Sequence, residues 1–292
     1  GEGAGLMILE SEARAKARTT AALDALLYRH TGQDDFLVGT TASNRERPET
    51  RELIGLFVNT LVLRARLDGD THFDLLIART RDTVLAAFAH IPRHLFVDTA
   101  LVNQAYEDTS LPIGLGQTIS KPSVVAAMIQ LLCVRPGLPR SDMPGAPTNT
   151  KPLGNCLEIG TGCGYQAALL GQLARRVVSI ERLRDLHLKA RGNLEQLRAV
   201  LPAWPDVRLV YGDGMIGHAP AAPFDTIIAA AGGSALPQAW LDQLAPGGRL
   251  VAPTEDERGG QVLVIVDRLA DGRFQQTRAG AVLFVPLKSG TT

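Results

Sequence analysis

Three glycines at alternate positions form the part of the chain whose spacing most clearly predicts a ligand site. An apolar stretch ends at Ile159, and a G-x-G-x-G turn follows it before a helical pattern begins; its glycines are Gly160, Gly162 and Gly164. Glycine is favoured where a strand turns sharply into a helix and where a ligand must approach the backbone. The crevice at the carboxyl end of this strand is therefore the expected binding site.

The residues around the turn separate two classes of cofactor. A dinucleotide fingerprint, G-x-G-x-x-G, would have its third glycine where this chain has Tyr165. The carboxylate of Glu158, two residues before the first glycine, would repel a pyrophosphate and attract an ammonium group, directly or through a bridging water. S-adenosylmethionine carries an ammonium group and no phosphate, and it is the predicted cofactor. The turn residues assigned to it are Gly160, Thr161, Gly162 and Gly164.

Two further acidic positions follow the next two predicted strands. Glu181 ends the strand VVSIE, 21 residues after Gly160, where a carboxylate can accept hydrogen bonds from ribose hydroxyls. Asp213 and Gly214 follow the strand VRLVY and are predicted to lie near the adenine. Both positions are therefore assigned to the cofactor.

Each acid also has a simpler interpretation when it is taken alone. Glu158 could be a surface carboxylate at a strand end, and Asp213 could be a turn former. Glu181 could pair with Arg182 or Arg184. The order and spacing of the three acids together favour the cofactor interpretation.

Alternating strand and helix patterns surround the turn and predict the scaffold that must hold it. The predicted strands are Asn155–Ile159, Val177–Glu181, Val207–Tyr211, Phe224–Ala230, Arg249–Pro253, Val262–Asp267 and Ala281–Pro286. The predicted helices between them are Tyr165–Leu173, Asp185–Leu197 and Pro237–Leu244. This alternation predicts an α/β fold, a Rossmann-like doubly wound sheet with helices on both faces.

The first part of the chain has a different pattern. Residues 11–30 and 73–90 fit helices, whereas residues 36–40 and 56–64 fit strands. Residues 136–152 include five prolines and are interpreted as an insertion that forms a loop or linker.

The composition limits the cellular compartment and the kinds of binding partner that we expect for this chain. Lys and Arg total 30, as do Asp and Glu, so the formal net charge is zero and neither nucleic acid nor an anionic membrane is an expected partner. The chain has no apolar run of about 18 residues, the length that a membrane span needs. Its three cysteines form no CxxC pair, which suits a reducing cytoplasm. We expect a cytoplasmic protein, taken as a monomer, without a metal site.

Six blocks of sequence lie in order around the glycine turn. They are IPRHLFV (91–97), QAYEDTSLPIGLGQTISKP (104–122), CLEIGTGCGYQAALL (156–170), APFDTIIAAA (222–231), LAPGGRLVAP (244–253) and VLFVPL (282–287). Together, over about residues 84–287, they resemble the protein-L-isoaspartate O-methyltransferase family. The block LPIGLGQTISKP discriminates most, because other methyltransferases share the glycine turn but not this block.

The resemblance implies methyl transfer from S-adenosylmethionine to the free carboxylate of L-isoaspartyl residues in damaged proteins, a repair reaction. It also implies an active-site serine, here Ser120, with Thr118 and Ile119 as neighbouring substrate-binding residues. A carboxylate with a pKa of about 4 is already ionised at neutral pH, so the reaction requires positioning rather than a strong base. Ser120 also has a structural interpretation as a helix N-cap, with Pro122 in the first turn. Ser123 stands where the family usually has an aromatic residue.

The upstream blocks TGQDDFLVG, NRERPE and IGLFVNTLVLR resemble the later part of a nonribosomal peptide synthetase condensation domain, over about residues 17–90. Condensation domains use a His-His-x-x-x-Asp-Gly motif, and this chain has no His-His pair. We therefore expect residues 1–85 to form an incomplete, non-catalytic α+β fragment whose apolar strands lack partners. Residues 86–292 are expected to form the methyltransferase domain. The alternatives are a methyltransferase acting on a natural-product peptide and a non-catalytic remnant of a gene fusion.

Overall fold

The computed structural model describes residues 35–43, 58–66, 84–134, 151–201 and 206–292. The helix predicted over residues 11–30 and most of the proline-rich stretch lie outside the described residues.

The chain divides into two compact units, residues 1–82 and 83–292. In the first unit, strand β1 (Asp35–Ser43) pairs antiparallel with strand β2 (Val58–Arg66) along nine residue pairs. Each strand thus has a backbone partner along one edge, whereas the side chains of both strands and residues 44–57 lie outside the described residues.

A seven-stranded sheet forms the centre of the second unit. Its strands are β5 (Gly154–Ile159), β6 (Ala174–Glu181), β7 (Val207–Tyr211), β8 (Phe224–Ala229), β9 (Leu244–Glu255), β10 (Gln261–Arg268) and β11 (Phe274–Val282). Their order across the sheet is β11-β10-β9-β8-β5-β6-β7, and β5 to β9 are parallel. The chain leaves β5 towards β6 on one side and returns to β8 on the other. This reversal opens a crevice at the carboxyl end of β5, as in other doubly wound sheets.

Helices cover both faces of the sheet and confirm the predicted α/β class. They are α1 (residues 84–90), α2 (Pro122–Cys133), α3 (Tyr165–Leu173), α4 (Arg184–Val200) and α5 (Gln238–Gln243). Successive residues of β5 point to opposite faces, so Cys156 and Leu157 belong to two separate hydrophobic clusters. The first cluster includes apolar residues of α2, α3 and α4, and the second includes Trp240 of α5. Among the described residues, no helix is both long and apolar enough to cross a membrane.

A short hairpin stands beside this sheet. Its strands are β3 (Leu111–Gly114) and β4 (Gln117–Ile119), which pair antiparallel. The side chains of Leu111, Ile113 and Ile119 are buried in the first hydrophobic cluster. The hairpin therefore holds the LPIGLGQTIS block in a fixed position in the second unit.

The last strand differs from its prediction. The apolar residues 281–286 were predicted to form it, but β11 spans Phe274–Val282 and most of its residues are exposed. β11 is an edge strand that pairs antiparallel with β10. An edge strand with little buried surface does not need the alternating apolar pattern on which the prediction relied.

Candidate cofactor and substrate site

The glycine turn joins β5 to α3 in a backbone conformation that suits glycine. The φ angles are 88° at Gly160, 57° at Gly162 and 90° at Gly164, all in the left-handed range. At Gly164 an added Cβ would lie 3.3 Å from the Cβ of Ala190, so this glycine also permits close packing of α4. The turn therefore exposes backbone in the crevice while keeping two helices in contact.

Glu181 ties the glycine turn to the end of the neighbouring strand. Its side chain is 5% exposed, and its two carboxylate oxygens accept backbone N–H bonds from Gly162 and Leu183, both at 2.9 Å. Each oxygen keeps a free lone pair, because a carboxylate can accept about four hydrogen bonds. Glu181 is thus an acceptor for two further donors at the crevice. Among the described residues it pairs with neither Arg182 nor Arg184, so the alternative interpretation is not supported.

Glu158 is buried within the fold rather than exposed at the strand end. Its Oε2 accepts a hydrogen bond from the Ser179 hydroxyl, which is also 2.6 Å from the Thr161 hydroxyl. Burial raises the pKa of Glu158 from 4.5 to about 8, with the negative charge of Glu181 adding to the effect and the Ser179 hydrogen bond opposing it. The surface-carboxylate interpretation is therefore wrong, and the raised pKa favours the protonated form of Glu158 at neutral pH.

The raised pKa predicts a pH dependence of stability. Between its unfolded and folded pKa values, Glu158 binds more protons in the folded state, so its contribution favours folding below about pH 4.5 and is lost as the pH rises to about 8. We expect the free energy of unfolding of wild-type protein to fall by about 1 kcal/mol more than that of Glu158→Gln between pH of about 6.5 and about 7.5. Urea unfolding at several pH values measures this difference.

The matched control is Glu195→Gln, which removes an exposed carboxylate of α4 whose side chain is 72% exposed. In this variant the free energy of unfolding should depend on pH as it does in wild-type protein. Parallel pH profiles for wild type and Glu158→Gln would show that Glu158 ionises normally in the folded protein.

Asp213 acts in the structure as a turn former. One carboxylate oxygen accepts the N–H of Met215 at 2.8 Å, which caps a short 3-10 turn. The other accepts the N–H of Gly290 at 2.7 Å and so anchors the C-terminal segment. The neighbouring Gly214 has its carbonyl bonded to the Trp240 indole at 2.7 Å. Asp213 therefore shapes the floor of the crevice through backbone groups.

The C-terminal segment crosses the carboxyl ends of the parallel strands. Gly232, after β8, exchanges backbone hydrogen bonds with Val285 and Leu287. Thr292 bonds to the backbone of Arg182 and Arg184, after β6. The apolar block VLFVPL, predicted as a strand, thus forms a strap over the crevice, and its residues are the part of the site that sequence patterns missed.

The LPIGLGQTIS block approaches the crevice from the side of the β3–β4 hairpin. Ile119 is buried, Ser120 is half-buried and Thr118 is exposed. Helix α2 has Lys121 as its N-cap residue, Pro122 in its first turn and no side-chain capping hydrogen bond. The interpretation of Ser120 as a helix N-cap is therefore wrong, and its hydroxyl is not engaged in capping.

These elements enclose one cavity of about 280 Å³. Of the residues assigned from sequence, the cavity is lined by Thr118, Ile119, Ser120, Gly160, Thr161, Gly162, Glu181 and Gly214. The assigned residues that do not line it are Glu158, Gly164 and Asp213. Further lining comes from the strap, at Val285 to Lys288, and from Cys163, whose pKa burial raises to about 11. The Cys163 thiol is therefore neutral and not a nucleophile at neutral pH.

The cavity fits S-adenosylmethionine by the chemistry of its polar groups. Glu181 has lone pairs for two ribose hydroxyls, as described above. Gln166 lines the cavity and lies near enough to Glu158 to lower the pKa of that carboxyl, yet Glu158 Oε1 and Gln166 Nε2 form no hydrogen bond of ordinary geometry among the described residues. Buried polar groups of this kind, one a donor and one a carboxyl that becomes a full acceptor on ionisation, suit the ammonium and carboxylate groups of an amino acid.

Comparison with known proteins assigns both parts of the chain. Residues 75–292 match the family model of protein-L-isoaspartate(D-aspartate) O-methyltransferase. Residues 11–94 match the model of the condensation domain. Both resemblances noted in the sequence are confirmed.

Individual relatives agree with the match to the methyltransferase family. A protein-L-isoaspartate O-methyltransferase of Methylibium petroleiphilum is 63% identical over 209 residues, which are 71% of this chain and 71% of the relative. The protein-L-isoaspartate O-methyltransferase of Leptothrix cholodnii is 58% identical over 233 residues, which are 77% of this chain and 76% of the relative. A crystal structure of a Plasmodium falciparum enzyme described by the same name, with bound S-adenosyl-L-homocysteine, covers 75% of this chain and 99% of its own, with a TM-score of 0.56. At 22% identity that likeness shows the fold alone. The extent of the family match and the identity to these relatives show that the chain belongs to the protein-L-isoaspartate(D-aspartate) O-methyltransferase family.

Proposed function

We propose that this chain transfers the methyl group of S-adenosylmethionine to the free carboxylate of L-isoaspartyl residues in damaged proteins and peptides. The product is a carboxyl methyl ester, and the role is protein repair. Membership of the isoaspartate methyltransferase family supports this activity and this cofactor.

One structural observation carries the proposal beyond family membership. The LPIGLGQTIS block and the glycine turn line the same cavity, together with Glu181. The family block for the substrate and the turn for the cofactor therefore border a common space. A methyl donor and an acceptor carboxylate can meet only in such a space.

The residue roles divide between the two ends of the cavity. We assign the cofactor to the turn and to the acids behind it, with Glu181 accepting the ribose hydroxyls and Glu158, which lies behind the cavity wall, acting on the ammonium group through a bridging water. The full cofactor set is Glu158, Gly160, Thr161, Gly162, Gly164, Glu181, Asp213 and Gly214, of which Gly164 and Asp213 act by shaping the backbone. We assign the isoaspartyl carboxylate to Ser120, with Thr118 and Ile119 beside it.

The reaction requires these residues to position the reactants rather than to transfer protons. Bound S-adenosylmethionine supplies a methyl group that is already activated by its sulfonium. The isoaspartyl carboxylate, with a pKa of about 4, is ionised at neutral pH and needs no base. Ser120 can donate its hydroxyl proton to one carboxylate oxygen and so aim the other at the methyl carbon.

We also propose the domain division 1–85 and 86–292, with the first part non-catalytic. The division into compact units at residues 82 and 83 supports this boundary, as do the overlapping family matches at 75–94. The lack of a His-His pair in the chain supports the non-catalytic assignment.

We further infer a cytoplasmic monomer that has no nucleic-acid or membrane partner. The zero net charge supports the absence of polyanionic partners. The cysteines Cys133, Cys156 and Cys163 form no disulfide with one another, which suits a reducing compartment.

A pair of peptides tests the activity. The full chain is incubated with methyl-labelled S-adenosylmethionine and two peptides that differ only in one isoaspartyl or aspartyl linkage. We expect base-labile label on the isoaspartyl peptide alone, because a methyl ester is hydrolysed by base and only the isoaspartyl linkage presents the recognised carboxylate.

The other outcomes separate the alternatives. Cofactor binding without label on either peptide would favour another substrate, such as a natural-product peptide. Absence of both binding and label would indicate a non-catalytic remnant. Binding is measured by isothermal titration calorimetry with S-adenosyl-L-homocysteine, the product of the cofactor.

A further inference from the structure

The tip of the β3–β4 hairpin carries an exposed leucine in an unfavourable backbone conformation. Leu115 has a φ of 53°, and it is the single non-glycine residue with positive φ among the described residues. A bulky side chain rarely adopts this conformation, because its Cβ approaches the following carbonyl. The side chain is also 57% exposed, so burial in the core does not compensate for the conformation.

The turn could be formed more easily by other residues. Leu115 and Gly116 form a two-residue loop between the paired residues Gly114 and Gln117, and both loop residues have positive φ. Hairpin loops of this kind strongly favour Asn-Gly. Local folding therefore does not explain why leucine occupies the first loop position, and such outliers point to a functional requirement.

The surroundings of Leu115 leave its side chain as the contact surface of the tip. A Cβ added at Gly114 or Gly116 would meet no atom within 4 Å, so both flanking positions face open space. Leu115 nevertheless lines the cavity that Ser120 also lines. Its side chain is thus partly in solvent and partly at the cavity that Ser120 lines, where it can contact a peptide bound there.

The base of the hairpin is held in place. Lys189 of α4 donates to the Ile113 carbonyl at 3.0 Å and also binds the carboxylate of Asp98 at 2.8 Å. Gly162 lies so close that a Cβ there would be 3.2 Å from Ile113 Cδ1. The hairpin therefore holds Leu115 at its tip in a fixed position. A fixed side chain suits selection among ligands better than a mobile one.

The spacing along the hairpin defines which part of a peptide could reach Leu115. Ser120 follows Gln117 by three positions, which is about 10 Å in a strand, and the tip adds a few ångströms. An extended peptide covers the same distance in about three to four residues, and the reach of its own side chain towards Leu115 brings the lower bound to about two. A peptide whose isoaspartyl carboxylate lies at Ser120 can therefore bring a residue two to four positions away against Leu115.

We propose that Leu115 is a specificity-determining residue that selects isoaspartyl peptides with an apolar side chain two to four residues from the isoaspartyl residue. This inference rests on the proposed function. Contact between two apolar side chains removes apolar surface from water, whereas a polar peptide side chain gains nothing there. The effect is expected in KM, because the contact lies away from the reacting atoms and is made equally in the ground state and the transition state.

Leu115→Asn provides a sharp test, because asparagine tolerates positive φ and should preserve the hairpin. Six isoaspartyl peptides, with leucine placed two, three or four residues before or after the isoaspartyl residue, are compared with an all-serine reference. For wild-type protein we expect KM to be about tenfold lower for the best leucine peptide than for the reference. In Leu115→Asn this difference should fall to about twofold or less.

The control variant is Leu188→Gln, which removes a 44% exposed leucine of α4 outside the cavity lining and should keep the wild-type preference. Equal KM values for all peptides in wild-type protein, or an unchanged preference in Leu115→Asn, would overturn this inference and leave the proposed function intact. Failure of the wild-type chain to methylate any of the seven peptides would instead overturn the proposed function.

Discussion

Replacement of Glu181 by alanine is expected to weaken binding of S-adenosylmethionine and S-adenosyl-L-homocysteine by about 1–3 kcal/mol, or about 5- to 150-fold in Kd. Two causes combine. The variant removes the proposed charged acceptors for the ribose hydroxyls. It also removes the acceptors for the N–H groups of Gly162 and Leu183, so the glycine turn loses its tie to the end of β6. Isothermal titration calorimetry measures both affinities.

Two further variants separate these causes. Glu181→Gln keeps one acceptor oxygen, so its loss of affinity should lie between those of wild type and Glu181→Ala. Glu195→Ala removes an acid on the surface of α4 and should leave the affinity unchanged. Thermal unfolding without ligand shows how much of the effect comes from loosening the fold. Unchanged affinity in Glu181→Ala would remove this residue from the cofactor site.

The scaffold around the cofactor could be predicted because its signals are local. The strand before Gly160, the helix after it and the strand ending at Glu181 each carry an apolar pattern of the right period, and all three are confirmed in the fold. Glycine spacing also predicts a turn without knowledge of distant residues. Predictions of this kind depend on neighbours along the chain.

Other features depend on contacts far apart in sequence, and local patterns could not reveal them. The burial of Glu158, and hence its raised pKa, arises from elements packed around β5. Asp213 was assigned to the adenine, yet one of its oxygens bonds to Gly290, 77 residues later. The strap was predicted as a strand because VLFVPL is apolar, whereas its apolar residues partly face the cavity and its backbone bonds to Gly232. The positive φ of Leu115 likewise comes from the hairpin pairing.

Two serines near the start of α2 illustrate how geometry changes a prediction. Ser123, which stands where the family usually has an aromatic residue, donates both its N–H and its hydroxyl to the carboxylate of Asp108, at 2.9 and 2.8 Å. Ser120, three residues earlier, lines the cavity and caps no helix. Two nearby serines therefore have different roles, one in holding the helix to the preceding loop and one in facing the proposed substrate.

Replacement of Ser120 by alanine is expected to lower kcat by about 10- to 100-fold while changing the Kd for S-adenosyl-L-homocysteine by less than about twofold. The reason is misalignment: without the hydroxyl, the isoaspartyl carboxylate is held less firmly in line with the methyl carbon and sulfur, and small displacements of reacting atoms cost rate steeply. Steady-state kinetics with an isoaspartyl peptide and calorimetry with S-adenosyl-L-homocysteine measure the two quantities. Ser120→Thr, which retains a hydroxyl, should recover part of the rate.

Ser123→Ala is the matched control, because it removes a hydroxyl from the same region without touching the cavity lining. It should destabilise the fold by about 1 kcal/mol through the lost Asp108 bond and leave kcat near the wild-type value. The pH profile distinguishes orientation from base catalysis: if Ser120 only orients an already ionised carboxylate, Ser120→Ala lowers kcat by the same factor at every pH. Full activity in Ser120→Ala would leave this residue as a passive part of the cavity wall, since the structure gives its hydroxyl no capping role to fall back on.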